Sequence, residues 1–164
     1  MNIILLGYNG LIGSCILEDL IQKFRNIHSI KLICVGRDTK IKPFNDKKIS
    51  YVKWDFLNFS KSNLFFFEKN NIIINCVGKN HSDLKNLREI NIEFIQKLVL
   101  HLQENKISAR LIHLGSVSVY GVDDNNLGEI KNISENSTTK PSDFYSKSKL
   151  EADNVIQNNI KTND

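Results

Sequence analysis

Tyr145 and Lys149 stand four residues apart in Tyr145-Ser146-Lys147-Ser148-Lys149. On a helix this spacing puts them on one face. A lysine ammonium beside a phenol stabilises the phenolate and lowers the tyrosine pKa from about 10, making it a usable acid and base. Taken alone, the pair is equally ordinary helix-surface decoration. Ser116, in Leu114-Gly115-Ser116-Val117-Ser118, follows an apolar strand-like run. In an open α/β sheet ligands gather outside the carboxyl ends of the strands, where this hydroxyl could polarise a substrate oxygen. Asn91 interrupts an otherwise apolar helical stripe. A buried amide needs partners, so it is expected to bond backbone or water at the sheet edge, as a satisfied core asparagine or as part of a proton relay.

Gly7-Tyr8-Asn9-Gly10-Leu11-Ile12-Gly13 places glycines at three-residue spacing between an apolar strand and a helix. The first permits a tight turn, the second a close approach to pyrophosphate, and the third close helix–strand packing; the helix N-terminus offers free N–H groups. Its position at the start of a strand–helix–strand series favours dinucleotide binding over a mere turn. The second strand ends Cys34-Val35-Gly36-Arg37-Asp38. An acidic residue at this tip favours NAD, whereas arginine can pair with a 2′-phosphate; Arg37 leans the reading towards NADP. Asp38 could offset that charge or itself bond a ribose. Asp55, after the third strand, could accept from an adenine amino group or simply cap the strand end.

The elements that must carry these groups follow from hydrophobic spacing. Short apolar runs at 3–6, 30–35, 49–54, 72–77 and 110–114 read as strands. Residues 11–24 read as a helix with Leu11, Ile12, Cys15, Ile16, Leu20 and Phe24 inward. A short helix is expected at 61–68, carrying the Leu64–Phe67 apolar run. A long one is expected over 83–104, N-capped by Ser82, with Leu84, Leu87, Asn91, Phe94, Leu98 and Leu102 inward. A last helix is expected over 143–158. The order β-α-β-β-α-β-α-β-α predicts α/β architecture: one doubly wound, Rossmann-like parallel sheet, with helices on both faces, filling residues 1–164 as a single domain.

Composition narrows the classes. The 164 residues are 41% hydrophobic and 24% charged, ordinary soluble usage. Lysine and arginine total 22 against 18 acidic residues, giving +4. The densest basic stretch, Lys40, Lys42, Lys47 and Lys48, is interleaved with Asp38 and Asp46, so a nucleic-acid stripe is not expected. Cys15, Cys34 and Cys76 lie in apolar contexts without disulfide or zinc spacing, which predicts reduced, buried thiols, no metal site and a cytoplasmic protein. No apolar run is long enough to cross a bilayer, and the N-terminus lacks a basic signal-peptide segment.

The motifs also occur together in a known order. Gly7-x-x-Gly10-x-x-Gly13, the Asn91 helix, Ser116 with Val119-Tyr120-Gly121, and Tyr145-x-x-x-Lys149 with Ser148 before the lysine resemble the extended short-chain dehydrogenase/reductases. Within these the chain is similar to the NAD-dependent epimerase/dehydratase family, which mostly handles nucleotide sugars. Pro141-x-x-Phe144-Tyr145 and Leu150-Glu151 resemble that family's catalytic helix. The resemblance implies Tyr145 as general acid/base, Ser116 on the same substrate oxygen and Asn91 completing a relay. It implies Lys149 holding the nicotinamide ribose and depressing the tyrosine pKa. It further implies cofactor contacts from Gly7, Asn9, Gly10, Leu11, Ile12 and Gly13, from Arg37, from Asp55 and Phe56, and from Val77 and Gly78 after the fourth strand. A homodimer through the long and catalytic helices is implied as well.

Three departures from the family pattern shape the expectation. Ile92-Glu93-Phe94-Ile95 stand where Gly-Thr commonly follows the asparagine. Val117 and Ser118 replace the Asp-Glu pair of sugar 4,6-dehydratases, so epimerisation or keto reduction is favoured over dehydration. The chain ends at Asp164, where family members continue into a sixth strand and a substrate-binding domain. Residues 1–164 alone are therefore expected to turn over poorly. The alternatives are a non-catalytic dinucleotide-binding module and an inactive truncated fragment.

Overall fold

The computed structural model describes residues 1–40, 43–59, 64–68, 71–80, 83–121 and 132–159. Five strands, β1 (Asn2–Leu6), β2 (Lys31–Gly36), β3 (Ile49–Lys53), β4 (Asn71–Asn75) and β5 (Ala109–His113), form one parallel sheet in the order β3-β2-β1-β4-β5. β1 lies at its centre, with Leu6 level with Val35 on one side and Asn75 on the other. Ile3, Ile4, Leu5 and Leu6 are all buried because helices cover both faces of the sheet. Each such side chain contributes about 1.5–3 kcal/mol on leaving water. The doubly wound, Rossmann-like α/β class is thus the observed one.

Strand alternation sorts the core into two layers. Ile3, Leu5, Leu32, Cys34 and Ile74 face α1 (Leu11–Phe24), where Leu17 is the buried contact and Ile16, Leu20 and Phe24 pack around it. Leu11, Ile12 and Cys15, expected inward, are exposed instead; Leu11 and Ile12 line a cleft at the end of β1 rather than the core. All three cysteines are free. Cys34 is buried and Cys76 half-buried, and burial pushes their thiols up to about 12 and about 11.

The opposite layer contains Ile4, Leu6, Val35 and Ile73 beneath a long helical run. That run begins as α2 (Leu84–Arg88), widens into a π turn at Glu89–Glu93 and continues as α3 (Phe94–Glu104). The widened turn lets three successive side chains, Ile90, Asn91 and Ile92, all be buried, which a regular helix facing one surface does not allow. Leu84 is exposed, unlike the rest of its expected stripe. Ser82, expected to cap this helix, lies outside the described residues; Asp83 does so, its carboxylate accepting from the Asn86 N–H at 2.9 Å.

The helix expected over 61–68 is not seen in its described part, residues 64–68, which form a turn closed by the Phe67 N–H on the Leu64 carbonyl. Four consecutive apolar side chains would fan around most of a helix, whereas the core lies on one side only. The turn instead buries Leu64, Phe66 and Phe67 and leaves Phe65 74% exposed. These rings close on Trp54, whose indole meets Phe56, Phe59 and Phe94 at 5.2–5.6 Å between centroids. The last helix, α4 (Phe144–Asn159), crosses this layer with Ala152 buried against it. Among the described residues no helix is long and apolar enough to cross a membrane.

Since Trp54 is 1% exposed and holds this aromatic cluster, Trp54→Ala is expected to lower the unfolding free energy by about 3–5 kcal/mol. Urea denaturation followed by far-ultraviolet circular dichroism measures it; a loss below about 1 kcal/mol would contradict the packing described.

Candidate active site

The carboxyl ends of β1, β4 and β5 open into one cleft of about 260 Å³. Its walls are Gly10, Leu11 and Ile12 from the glycine turn, Cys76 to Asn80 after β4, Leu114 and Gly115 after β5, and Tyr145 and Lys149 from α4. Gly7 holds φ +79°, and its turn is tied to β2 by its N–H on the Val35 carbonyl at 2.8 Å. A side chain at Gly13 would collide with the Gly7 carbonyl, so only glycine lets α1 pack this close to the end of β1.

No side chain caps the N-terminus of α1 and its first turn carries no acidic residue. The positive end of the helix therefore faces the cleft, with Leu11 87% exposed beside it. These features fit a dinucleotide pyrophosphate. Tyr8 and Asn9 clasp the tip of β2, donating to the Asp38 carbonyl at 3.2 and 3.1 Å. Arg37 is exposed and makes no ion pair among the described residues.

Asp55 is exposed, and its carboxylate accepts from the Leu57 N–H and the Asn58 amide, the arrangement of a turn cap. Phe56 is buried in the aromatic core. Neither Arg37, Asp55, Phe56 nor Ser116 is among the residues lining the cleft. Val77 and Gly78 do line it. No group of three or more potential metal ligands occurs among the described residues.

Asn91 is 2% exposed and fully engaged. Its Oδ1 accepts from the Lys79 N–H, and its Nδ2 donates to the Lys79 carbonyl and the Ser148 hydroxyl, all at 2.9 Å. Ser148 in turn donates to the Tyr145 carbonyl at 2.7 Å. The amide is therefore bonded to backbone at the sheet edge, as expected of it, and it joins the exit of β4 to the helix bearing Tyr145. That helix starts with a reciprocal cap: Asp143 Oδ1 accepts from the Ser146 N–H at 2.7 Å, and Ser146 Oγ accepts from the Asp143 N–H at 3.1 Å. The Ser146 hydroxyl, which donates to Asp143 Oδ1 at 2.6 Å, and the Ser146 N–H together hold the Asp143 carboxyl below its usual range.

Tyr145 is half-buried, and its hydroxyl has no hydrogen-bond partner among the described residues. Ser116 begins the short 3-10 turn Val117–Tyr120, and its hydroxyl pairs with that of Ser118 at 2.7 Å. No hydrogen bond joins Ser116 to Tyr145. Lys149 is 5% exposed, donates to the Leu114 carbonyl at 2.6 Å and approaches His113 Nε2 at 3.4 Å. Burial lowers its pKa, partly countered by Asp153. His113 is pushed down to about 3 by burial and by the Lys149 charge, and is therefore neutral at ordinary pH. His113, Asn75 and Asp153 were not among the site residues expected from sequence, although His113 stands three residues before Ser116 and Asp153 four after Lys149.

The sequence matches the NAD dependent epimerase/dehydratase family over residues 3–164. The chain belongs to that family. Solved structures similar to this family member include UDP-glucuronic acid 4-epimerase from Bacillus cereus in complex with NAD, 20% identical with a TM-score of 0.72. They also include dTDP-glucose 4,6-dehydratases from Bacillus anthracis str. Ames, in complex with NAD, and from Streptomyces venezuelae, each 20% identical, with TM-scores of 0.72 and 0.77. All three alignments cover 96% of this chain and 51% of the other, so the family member spans about half the length of these structures. No curated protein matches the sequence.

Asn91→Leu removes the partner of both Lys79 backbone groups and of Ser148, and should cost about 1–3 kcal/mol in urea denaturation; a neutral result would refute the clamp. The His113 value near 3 lies below its ordinary 6.5, so on acidification the unfolded chain takes up the proton first. Stability is thus complete above pH 6.5 and drains as pH falls from 6.5 towards 3. His113→Gln should flatten that limb of the pH–stability curve, and an unchanged slope would refute a neutral, buried imidazole.

Proposed function

We propose that the chain binds NAD(P) and carries the proton-transfer residues of an oxidoreductase or epimerase acting on a nucleotide-sugar-like substrate by hydride transfer. The observation that carries the reading is the convergence of the uncapped α1 N-terminus, the β4 exit at Val77 and Gly78, and Tyr145 with Lys149 on one cleft. The related structures that hold NAD act on nucleotide sugars by their own descriptions, which supports the same ligand class here.

The bound nicotinamide supplies hydride acceptance and return. Tyr145 takes the substrate hydroxyl proton as the carbon–oxygen bond becomes a carbonyl, and returns it on reduction. Lys149, in the same cleft wall one helical turn away, would hold the ribose hydroxyls of the nicotinamide half. Ser116 donates to the same substrate oxygen once released from Ser118, and Asn91 fixes the helix carrying Tyr145. Val117 and Ser118, in place of an acidic pair, favour epimerisation or keto reduction over elimination of water. Arg37, exposed at the β2 tip, favours NADP. Leu84 and Phe144, both more than half exposed along the groove between α2 and α4, support pairing of two copies.

Titration of residues 1–164 with NADPH and NADH, followed by thermal stability and Trp54 fluorescence, tests the reading. Binding should saturate and prefer NADPH, with about 2.7 kcal/mol of added stability at a hundredfold excess over Kd. Arg37→Ala should erase the preference, and an initial preference for NADH would refute that role of Arg37. Tyr145→Phe should leave cofactor binding intact and abolish conversion of a nucleotide sugar. Unchanged conversion would refute Tyr145 as the acid/base, cofactor binding without any conversion would leave the non-catalytic binding module, and no response to either cofactor would leave the inactive fragment.

A further inference from the structure

Behind Lys149 lies a buried polar chain that the proposed reaction does not use. The Val77 N–H donates to Asn75 Oδ1 at 3.0 Å, which fixes the orientation of that amide and turns its Nδ2 towards His113 Nδ1, also at 3.0 Å. His113 Nδ1 is therefore the acceptor, and the ring proton of the neutral imidazole resides on Nε2. Nε2 lies 3.4 Å from Lys149 Nζ and 3.8 Å from Asp153 Oδ1.

Lys149 and Asp153 are four apart on α4 and half-buried or deeper, a spacing that ordinarily yields a direct ion pair. None forms. The imidazole stands between them, and Nζ turns instead to the Leu114 carbonyl in the cleft wall. The charged and titratable groups facing Nζ are His113 from β5 and Asp153 from α4, while Tyr145 from α4 and Lys79 after β4 also line the cleft.

We propose that His113 is a positioning residue: locked in its Nε2–H tautomer by Asn75, it separates Lys149 from Asp153 and keeps the ammonium on the side of the cleft that Tyr145 also lines. The functional meaning rests on the cofactor reading above, whereas the placement itself does not. An imidazole suits this place. It is flat, keeps the carboxylate 3.8 Å from Nε2 without a hydrogen bond, and remains uncharged, so it adds no second cation beside the lysine. Burial holds the Asp153 carboxyl above its usual range, countered only in part by the Lys149 charge. Without the ring, Nζ would be drawn one turn along α4 to the carboxylate, away from Tyr145.

Nuclear magnetic resonance of the unliganded chain reads this directly. Nitrogen shifts of His113 should show the Nε2–H tautomer in the unsubstituted protein; the Nδ1–H form would overturn the proposal without any variant. In His113→Ala the Lys149 side-chain signals should titrate at least about one pH unit higher, as the lysine gains a direct carboxylate partner. Adding Asp153→Asn should reverse that rise, and His113→Gln, which keeps an amide N–H, should show little of it. A lysine titration unmoved by His113→Ala, or a rise that persists with Asp153→Asn, would overturn the spacer role. Failure to bind NAD(H), measured separately, would refute the cofactor reading and leave these signals as they are.

Discussion

The close approach of two backbones at the end of β1 governs the remainder of the molecule. The Gly7 carbonyl occupies the space a side chain at Gly13 would need, and Gly7 itself presses on the backbone of Cys76 and Val77 at 3.2 Å from where a Cβ would sit. Through these contacts one turn sets the start of α1 and its distance from the exit of β4. The strand order then carries the chain away from β1 on both sides, to β2 and to β4, so a crevice must open where the connections part. Tyr145 and Lys149 reach that crevice from α4, whose seat is fixed by Asn91 and by the reciprocal cap of Asp143 and Ser146.

Much of this was legible in the residues because the deciding signals are local. Five apolar runs gave strands within one or two residues of those observed, and the glycine spacing located the turn. The boundaries of α1 agree with the spacing that marks them, but its inward stripe does not begin until Ile16, because Leu11 and Ile12 belong to the cleft wall. Residues 64–68 misled for a related reason. An apolar run reports that side chains are buried, and does not say whether a helix or a turn buries them.

The polar chain of Asn75, His113, Lys149 and Asp153 was not legible, since its members come from β4, β5 and α4 and only folding makes them neighbours. Asn91 was recognisable as a buried amide in need of partners, yet the π turn that admits it has no signature of its own in Glu89-Ile90-Asn91-Ile92-Glu93. Ser116 shows the complementary limit. Sequence order places it at the end of β5, but which hydroxyl it bonds depends on a rotor that Ser118 currently occupies.

The π turn also acts as a phase shift in the helical run. Upstream of it Leu87 and Arg88 border α4 in a groove with Phe144 and Lys147, while downstream Phe94, Leu98 and Leu102 lie on the sheet. One extra residue per turn rotates the second contact surface relative to the first. A single uninterrupted rod thereby serves two partners that a regular helix of the same length could not face together. The seat of α4 and the packing on the sheet are thereby mechanically joined, so a displacement of α4 would be transmitted along the rod to the layer against the sheet.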